Sequence, residues 1–355
     1  MNFKAEITKL HYDSSPHGFV FVFLKILSIF YGFGSGFKNF LYDTKILIPQ
    51  KVNAFVVSIG NFTTGGVGKT PVVAEIAKYF IRKGEKTAVI SRGFGGKLNN
   101  KSVNLISDGE SIFFNAEQAG DEPYWHAANI KGCIVLTCSD RVKAAEYAIK
   151  NFGVSRIILD DGFQHRKIHR DLDIVLADSE KLFGNGCLLP AGPLRESLKG
   201  FKRADKLVIV SKNVNHDTAE KLADIMDKKY MQQDGKFKRK QSEKLCRSTL
   251  LCRIEPDYVY NIQSGELLPK GSKAAAISAI GQPEQFYKFI EKDYEITECL
   301  TFDDHRRYTE DDIKNIKGNI ITTEKDGVKL ALLNRTDIYA LKLKTTIDIV
   351  SLFGI

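Results

Sequence analysis

A chain of 355 residues with 43% apolar side chains has room for two domains, or one large and one small, each with a real core. Its net charge of +9 asks for an anionic partner, whether nucleotide, acidic lipid or nucleic acid, and no run resembles a nucleic-acid-binding motif. The six cysteines (133, 138, 187, 246, 252 and 299) show no Cys-x-x-Cys and no metal spacing, so they read as small core residues in a reducing, cytoplasmic compartment.

Residues 1–16 are mixed and uninformative. In His17–Tyr42, Phe19, Phe23, Ile26, Phe30, Phe33, Phe37 and Phe40 recur at alternating spacings of four and three, which is one face of a helix. No cleavage site of the secretory type follows. Lys25 and the glycines make a poor spanning helix, because about 20 apolar residues are needed. An in-plane helix on a membrane surface fits better, with Lys25, Lys38, Lys45 and Lys51 available to anionic headgroups. The plainer account is a helix that packs on the core.

Ala54–Ile59 has the length and β-branched content of a buried strand. It breaks into Gly60–Gly68, then Lys69-Thr70-Pro71, and an apolar-periodic helix follows over Val72–Arg82. Strand, glycine loop, Gly-Lys-Thr and helix make a P-loop. Thr63, Thr64, Gly65, Gly66, Val67 and Gly68 would cradle phosphates with backbone N–H groups; Lys69 would reach the β/γ-phosphates and the Thr70 hydroxyl a Mg²⁺. Thr63 stands where the usual pattern has glycine, and glycines 65, 66 and 68 compensate.

A second strand, Lys86–Ser91, ends in Arg92-Gly93-Phe94-Gly95-Gly96. Arg92 there is either a phosphate ligand or a solvated turn residue. Gly120-Asp121-Glu122-Pro123 opens a helix through Asn129, where adjacent carboxylates also serve simply as caps. Strand Cys133–Thr137 and helix Asp140–Asn151 lead to strand Arg156–Leu159, which runs into Asp160-Asp161-Gly162-Phe163-Gln164-His165. A carboxylate at the carboxyl end of a parallel strand faces the nucleotide crevice and can hold Mg²⁺. Strands Leu172–Ala177 and Lys206–Ser211 flank a Pro/Gly-rich loop, Leu188–Glu196, and a helix runs from Asp217 to about Met231.

This alternation gives an α/β fold with a parallel sheet covered on both faces. Lys228–Lys244 reads as linker or insertion, and Gln263-Ser264-Gly265-Glu266 as a hairpin turn. From Lys273 a second, smaller α/β pattern begins. The expected division is a membrane-associated helix over 1–50, a P-loop core over 51–235, a hairpin linker over 236–270 and a smaller α/β domain over 271–355. Asp303-Asp304-His305 follows a strand, and in Thr322-Thr323-Glu324-Lys325-Asp326 Thr323 would cap a helix.

Eight segments in order, GNFTTGGVGKTP, SRGFGG, GDEP, Asp140-Arg141, LDDGFQHR, LPAGPLRE, Asp303-Asp304-His305 and TTEKD, resemble the tetraacyldisaccharide 4′-kinase family of lipid A biosynthesis. The resemblance covers roughly residues 17–341. It implies a kinase that uses MgATP to phosphorylate the 4′-hydroxyl of lipid A disaccharide 1-phosphate at the cytoplasmic face of the bacterial inner membrane, with a monomer favoured. It implies that Asp160 and Asp161, with Glu196, complete the metal site. It makes Asp121 the general base, His305 its orienting partner, Arg92 and Arg195 the neutralisers of phosphate charge, and Gln164 and His165 part of the lining. Arg306 stands where the family pattern usually shows a second histidine. A soluble P-loop ligase or small-molecule kinase, of the dethiobiotin synthetase kind, leaves the aromatic helix and Asp303–His305 without purpose. A membrane-bound nucleotide switch fits the helix and the loop, but a guanine motif finds only Ser211-Lys212-Asn213-Val214, with Val in place of Asp.

Overall fold

The computed structural model describes residues 3–212, 216–231, 248–281, 283–303, 306–333 and 335–354. Helices α1 (Phe3–His11) and α2 (Phe19–Asp43) precede the sheet. The first half then runs β1 (Phe55–Asn61), α3 (Lys69–Arg82), β2 (Thr87–Ser91), β3 (Asn104–Asp108), α4 (Ala116–Ala119), α5 (Asp121–Asn129), β4 (Ile134–Thr137), α6 (Arg141–Phe152), β5 (Arg156–Asp160), β6 (Leu172–Asp178), β7 (Lys206–Ser211) and α7 (His216–Met226). The second runs β8 (Ser248–Asn261), β9 (Lys273–Ser278), α8 (Pro283–Ile290), β10 (Glu295–Thr301), α9 (Glu310–Ile313), β11 (Asn319–Thr323), α10 (Glu324–Leu330), β12 (Ile338–Ile347) and α11 (Ile349–Phe353).

The strands form one sheet in the order β10-β9-β11-β12-β8-β7-β6-β1-β5-β2-β4-β3. The alternation of the strand pleat explains its two covered faces. Along β1 and β5, Val57 and Ile158 join the core under α3 (Val72, Val73, Ile76, Phe80), whereas Val56, Ile157 and Leu159 join the core under α6 (Val142, Ala145, Ala148). The carboxyl-terminal α11 returns to the first face, where Phe353 meets Phe80 with ring centroids 5.0 Å apart.

Strands β4, β2, β5, β1, β6, β7 and β8 are parallel to one another, and so are β10, β9, β11 and β12. The two blocks meet antiparallel, β12 against β8. Within the stretch expected as a linker, residues 248–261 are therefore sheet: β8 pairs with β7 through its first half and with β12 from Cys252 onward. The turn at 262–265 lets the Leu268 N–H return to the Val259 carbonyl at 2.9 Å. The reversal points the carboxyl edge of the second block at the carboxyl edge of the first.

The exit from β1 is built on aromatics. Phe62 is 1% exposed among Phe163, Phe183 and Phe201, at centroid distances of 5.1, 6.3 and 4.5 Å. Its carbonyl accepts the Arg195 N–H at 2.7 Å, so this cluster fixes where the glycine loop begins. Phe62→Ala is expected to cost about 3–5 kcal/mol, read as a lower urea midpoint at unchanged slope; a loss below about 1 kcal/mol would mean that the cluster does not hold the loop.

Candidate active site

A cavity of about 880 Å³ lies where the two carboxyl edges face each other. One wall carries Gly65–Thr70, Arg92, Asp121, Glu122, Asp160 and Asp161, and the other Thr323–Asp326 and Lys329. Gly68 caps α3 at φ 94°, in the left-handed region. A Cβ there would also come within 2.9 Å of the Ile254 side-chain tip, which could shift aside, so it is the left-handed backbone that calls for glycine. Lys69 and Thr70 open α3 and line the cavity beneath the loop. The positive end of the helix dipole and the loop N–H groups suit an anion there.

Lys69 Nζ lies 3.2 Å from Asn61 Oδ1 and 3.4 Å from Asp161 Oδ1. Asp161 is one of the non-glycine residues with positive φ, at 56°, and its carboxylate accepts two hydrogen bonds from Arg195, at 2.9 and 2.7 Å. Burial acts to raise its pKa, but Lys69 and Arg195 outweigh it and hold Asp161 below the usual carboxylate range. Asp160, one residue earlier, ends β5 and is 1% exposed. Its Oδ2 accepts from His126 Nε2 at 3.0 Å, and its Oδ1 has no hydrogen-bond partner among the described residues.

Asp121 and Glu122 start α5 and meet α10 of the opposite block: Lys329 Nζ is 3.1 Å from Asp121 Oδ2, and Lys325 Nζ is 2.9 Å from Glu122 Oε1. Lys329 also contacts Asp326 at 3.2 Å, which in turn accepts the Ala279 N–H. Thr323 caps α10 by accepting the Asp326 N–H, as its position in the sequence suggested.

The pattern of the LpxK family, described as tetraacyldisaccharide-1-P 4′-kinase, matches residues 20–352. A tetraacyldisaccharide 4′-kinase of Syntrophus aciditrophicus is 37% identical over 339 residues, 91% of this chain and 87% of that one. One from Halothermothrix orenii is 36% identical over 323 residues, 88% and 83%. The chain belongs to the tetraacyldisaccharide 4′-kinase family. It is an enzyme of the kinase class. A crystal structure of LpxK from Aquifex aeolicus, in complex with ATP, superposes with a TM-score of 0.71 at 29% identity, covering 94% of this chain and 99% of that one. The soluble-ligase and switch readings are thereby set aside.

Other residues that the family resemblance pointed to are placed as follows. Gln164 donates to the Asn61 carbonyl and to Glu196, both at 3.0 Å. His165 lines the cavity, and its pKa is pushed down to about 4 by burial and then by Arg141 and Lys38, so it is neutral at physiological pH. Thr63 bridges to Leu194, and the Thr64 N–H donates to the Pro193 carbonyl, so these two tie the loop to Leu188–Glu196. Arg92 lines the cavity and is exposed. Glu196 is 2% exposed, and its two oxygens accept from Arg203, Gln164 and Asn39. It binds α2 to the nucleotide loops, and among the described residues it does not line the cavity. Lys38, expected at headgroups, is exposed and donates its ammonium to the Gln164 carbonyl at 3.1 Å. His305 lies outside the described residues.

Sequence reasoning did not single out His126 or Lys329, and it named Lys325 and Lys212 only within motifs, without the contacts they make here. Lys212 donates to the Gly66 carbonyl at 2.6 Å and meets Asp178 at 3.1 Å, bracing the glycine loop from the end of β7. The available signal was position: Lys325 and Lys329 sit four apart on the helix that Thr323 caps, so they share a face.

Lys325 holds the Glu122 carboxyl, ordinarily near 4.5, at about 2. Between those values the unfolded chain binds more protons than the folded one, so the pair's contribution is full above about 4.5 and lost as pH falls through about 2. Both side chains keep 35% exposure, so solvent screens part of it. Lys325→Met should lower the urea midpoint at neutral pH, and that deficit should shrink as pH falls through this window; a deficit independent of pH would rule out an electrostatic origin.

Proposed function

We propose that this chain transfers the γ-phosphoryl group of ATP to the 4′-hydroxyl of a tetraacylated disaccharide 1-phosphate lying in an anionic membrane surface. The observation that carries this reading is one cavity that lines up the glycine loop, Asp160, whose Oδ1 has no hydrogen-bond partner among the described residues, and Asp121. The loop N–H groups and Lys69 hold the β- and γ-phosphates. Arg92 and Arg195 neutralise charge spread over the transferred group, which is most of what a kinase must supply. Asp121 accepts the proton as the sugar hydroxyl attacks. Lys329 keeps that carboxylate in place, and His305 is proposed to orient it further.

The donor set suits Mg²⁺. A hard cation with water and phosphate ligands needs only one or two protein oxygens, and the Thr70 hydroxyl and the Asp160 carboxylate would supply them, with Asp161 adding negative charge at the site. When bound, the ion would neutralise negative charge on the phosphates. Glu196 is left out of this set because its oxygens are already engaged.

The membrane reading rests on α2. The helix is long and apolar enough to cross a membrane, with 17% of its apolar window buried. Phe21, Leu24 and Ser28 dock on the loop at Leu188–Ala191, with Ser28 Oγ donating to the Leu188 carbonyl at 2.8 Å. The opposite face leaves Phe19, Phe30, Phe33 and Phe37 between 64% and 86% exposed. Tyr31 and Lys38 of the same helix line the cavity mouth. A tetraacylated substrate leaves a bilayer at about 0.8 kcal/mol per exposed CH₂, so an apolar face beside the mouth lets the sugar reach the cavity while the chains stay in lipid.

Radiolabel from the γ-phosphate of ATP should appear on lipid A disaccharide 1-phosphate in detergent micelles, and Asp121→Asn should lower kcat by roughly 10²–10⁴. No labelled lipid from the wild type overturns the reading, and an unchanged kcat removes Asp121 as base; His305→Ala with unchanged kcat removes His305 as its partner. Because α2 also carries Asn39 and Ser28, deleting residues 1–42 would unsettle Glu196 as well. The cleaner test is Phe30→Glu with Phe33→Glu, which spares the docked face. Flotation with anionic liposomes should drop while the melting temperature holds; unchanged flotation would remove the membrane role.

A further inference from the structure

His126 lies on α5 one turn beyond Glu122, and it is fully buried. Its Nε2 is 3.0 Å from Asp160 Oδ2, and its Nδ1 has no partner among the described residues. A carboxylate oxygen accepts, so Nε2–H donates and Nδ1 carries the lone pair. A buried imidazole with one nitrogen unsatisfied is a costly way to fill a core position. Among the described residues its hydrogen bond goes to the carboxylate whose other oxygen has no partner there and whose residue lines the cavity.

We propose that His126 is the positioning residue of Asp160, fixing the carboxylate so that Oδ1 is the oxygen presented to the divalent cation that accompanies the nucleotide. The inference rests on the reading of Asp160 as a metal residue and deepens it. The terminal torsion of aspartate is broad, and a strand-end carboxylate held at neither oxygen would sample orientations that offer the ion nothing. A charge-assisted bond from a side chain in a packed core removes that freedom. The helix that carries His126 is itself anchored at its first turn, where Glu122 meets Lys325 and Asp121 meets Lys329 across the cleft. The orientation of Asp160 is thus tied through one short helix to the contact between the two blocks. Partners that hold ligating carboxylates carry roughly tenfold to hundredfold in metal affinity.

The test uses the full chain with a non-hydrolysable ATP analogue and Mn²⁺, the bound ion being followed by electron paramagnetic resonance. His126→Leu should weaken Mn²⁺ binding by roughly tenfold to hundredfold and leave metal-free binding of the analogue unchanged. His126→Gln, which keeps a donor of similar reach, should restore most of the affinity. Asp160→Asn should lose it, and His126→Leu added to Asp160→Asn should change nothing further. Should His126→Leu fail to fold, His126→Asn, whose amide is too short for the same bond, takes its place with the same expectation. Mn²⁺ affinity within about twofold of the wild type in the His126 variant, beside a weakened Asp160→Asn, overturns the positioning role. Wild-type affinity in Asp160→Asn overturns the metal reading itself, and the proposal with it.

Discussion

The antiparallel seam between β8 and β12 is the constraint on which the site depends. Had the second block continued parallel, its carboxyl edge would lie on the same side as that of the first and the two would never face each other. The reversal sets the edges opposite, and three helix N-termini open onto the space between: α3 at Lys69, α5 at Asp121 and α10 at Glu324, all of which line the cavity. Three positive dipole ends favour anions. The carboxylates in the first turns of α5 and α10 take part of that field, and the lysines of α10 take the carboxylates. The cleft thus holds opposed charges close together, several of them buried, in a chain whose surplus is positive.

The second organising contact is the docking of α2. An amphipathic helix on a soluble domain normally turns its apolar stripe inward. Here the stripe of Phe19, Phe23, Ile26, Phe30, Phe33, Phe37 and Phe40 faces out, and the inner side is held by a few polar bonds: Ser28 to Leu188 and Ala191, Tyr31 to Arg195, Asn39 to Glu196, Arg166 to Asn39 and Asp43. Glu196 stands at the centre of this arrangement. It is tied to Gln164 of the loop after β5 and to Arg203, so the aromatic helix and a loop that lines the cavity share one buried carboxylate. An exposed apolar face of this size marks an interaction surface, and polar anchoring on its back leaves that face free to serve.

Much of the site was legible because its signals are local. A glycine loop before Lys69-Thr70 needs left-handed backbone at Gly68, a strand ending in Asp-Asp puts a carboxylate at a carboxyl edge, and Thr323 three residues before Asp326 is a cap; each is settled within a few residues of chain. Glu196 shows the opposite case. Its neighbourhood in LPAGPLRE suggests a charged loop residue near the nucleotide, yet its fate was decided by Asn39, 157 residues earlier, and by Arg203. Lys38 is a milder instance: nothing in its neighbourhood in the chain marks the Gln164 carbonyl, 126 residues later, as the acceptor its exposed ammonium reaches.

By itself the sequence determined the alternation of strands and helices, the glycine loop before Lys69, the Asp160–Asp161 strand end and the one-sided aromatic stripe of α2, because periodicity and turn chemistry are properties of contiguous residues; that the stripe faces outward was decided by the tertiary structure. The tertiary structure alone decided that residues 248–261 form a strand shared by both blocks, that Asp121 and Glu122 meet Lys329 and Lys325 about two hundred residues away, and that His126 is spent on Asp160. A lone buried histidine or a lysine on a helix carries no mark of its partner in the chain around it. Which charge it meets is set by the direction and register in which distant strands pair.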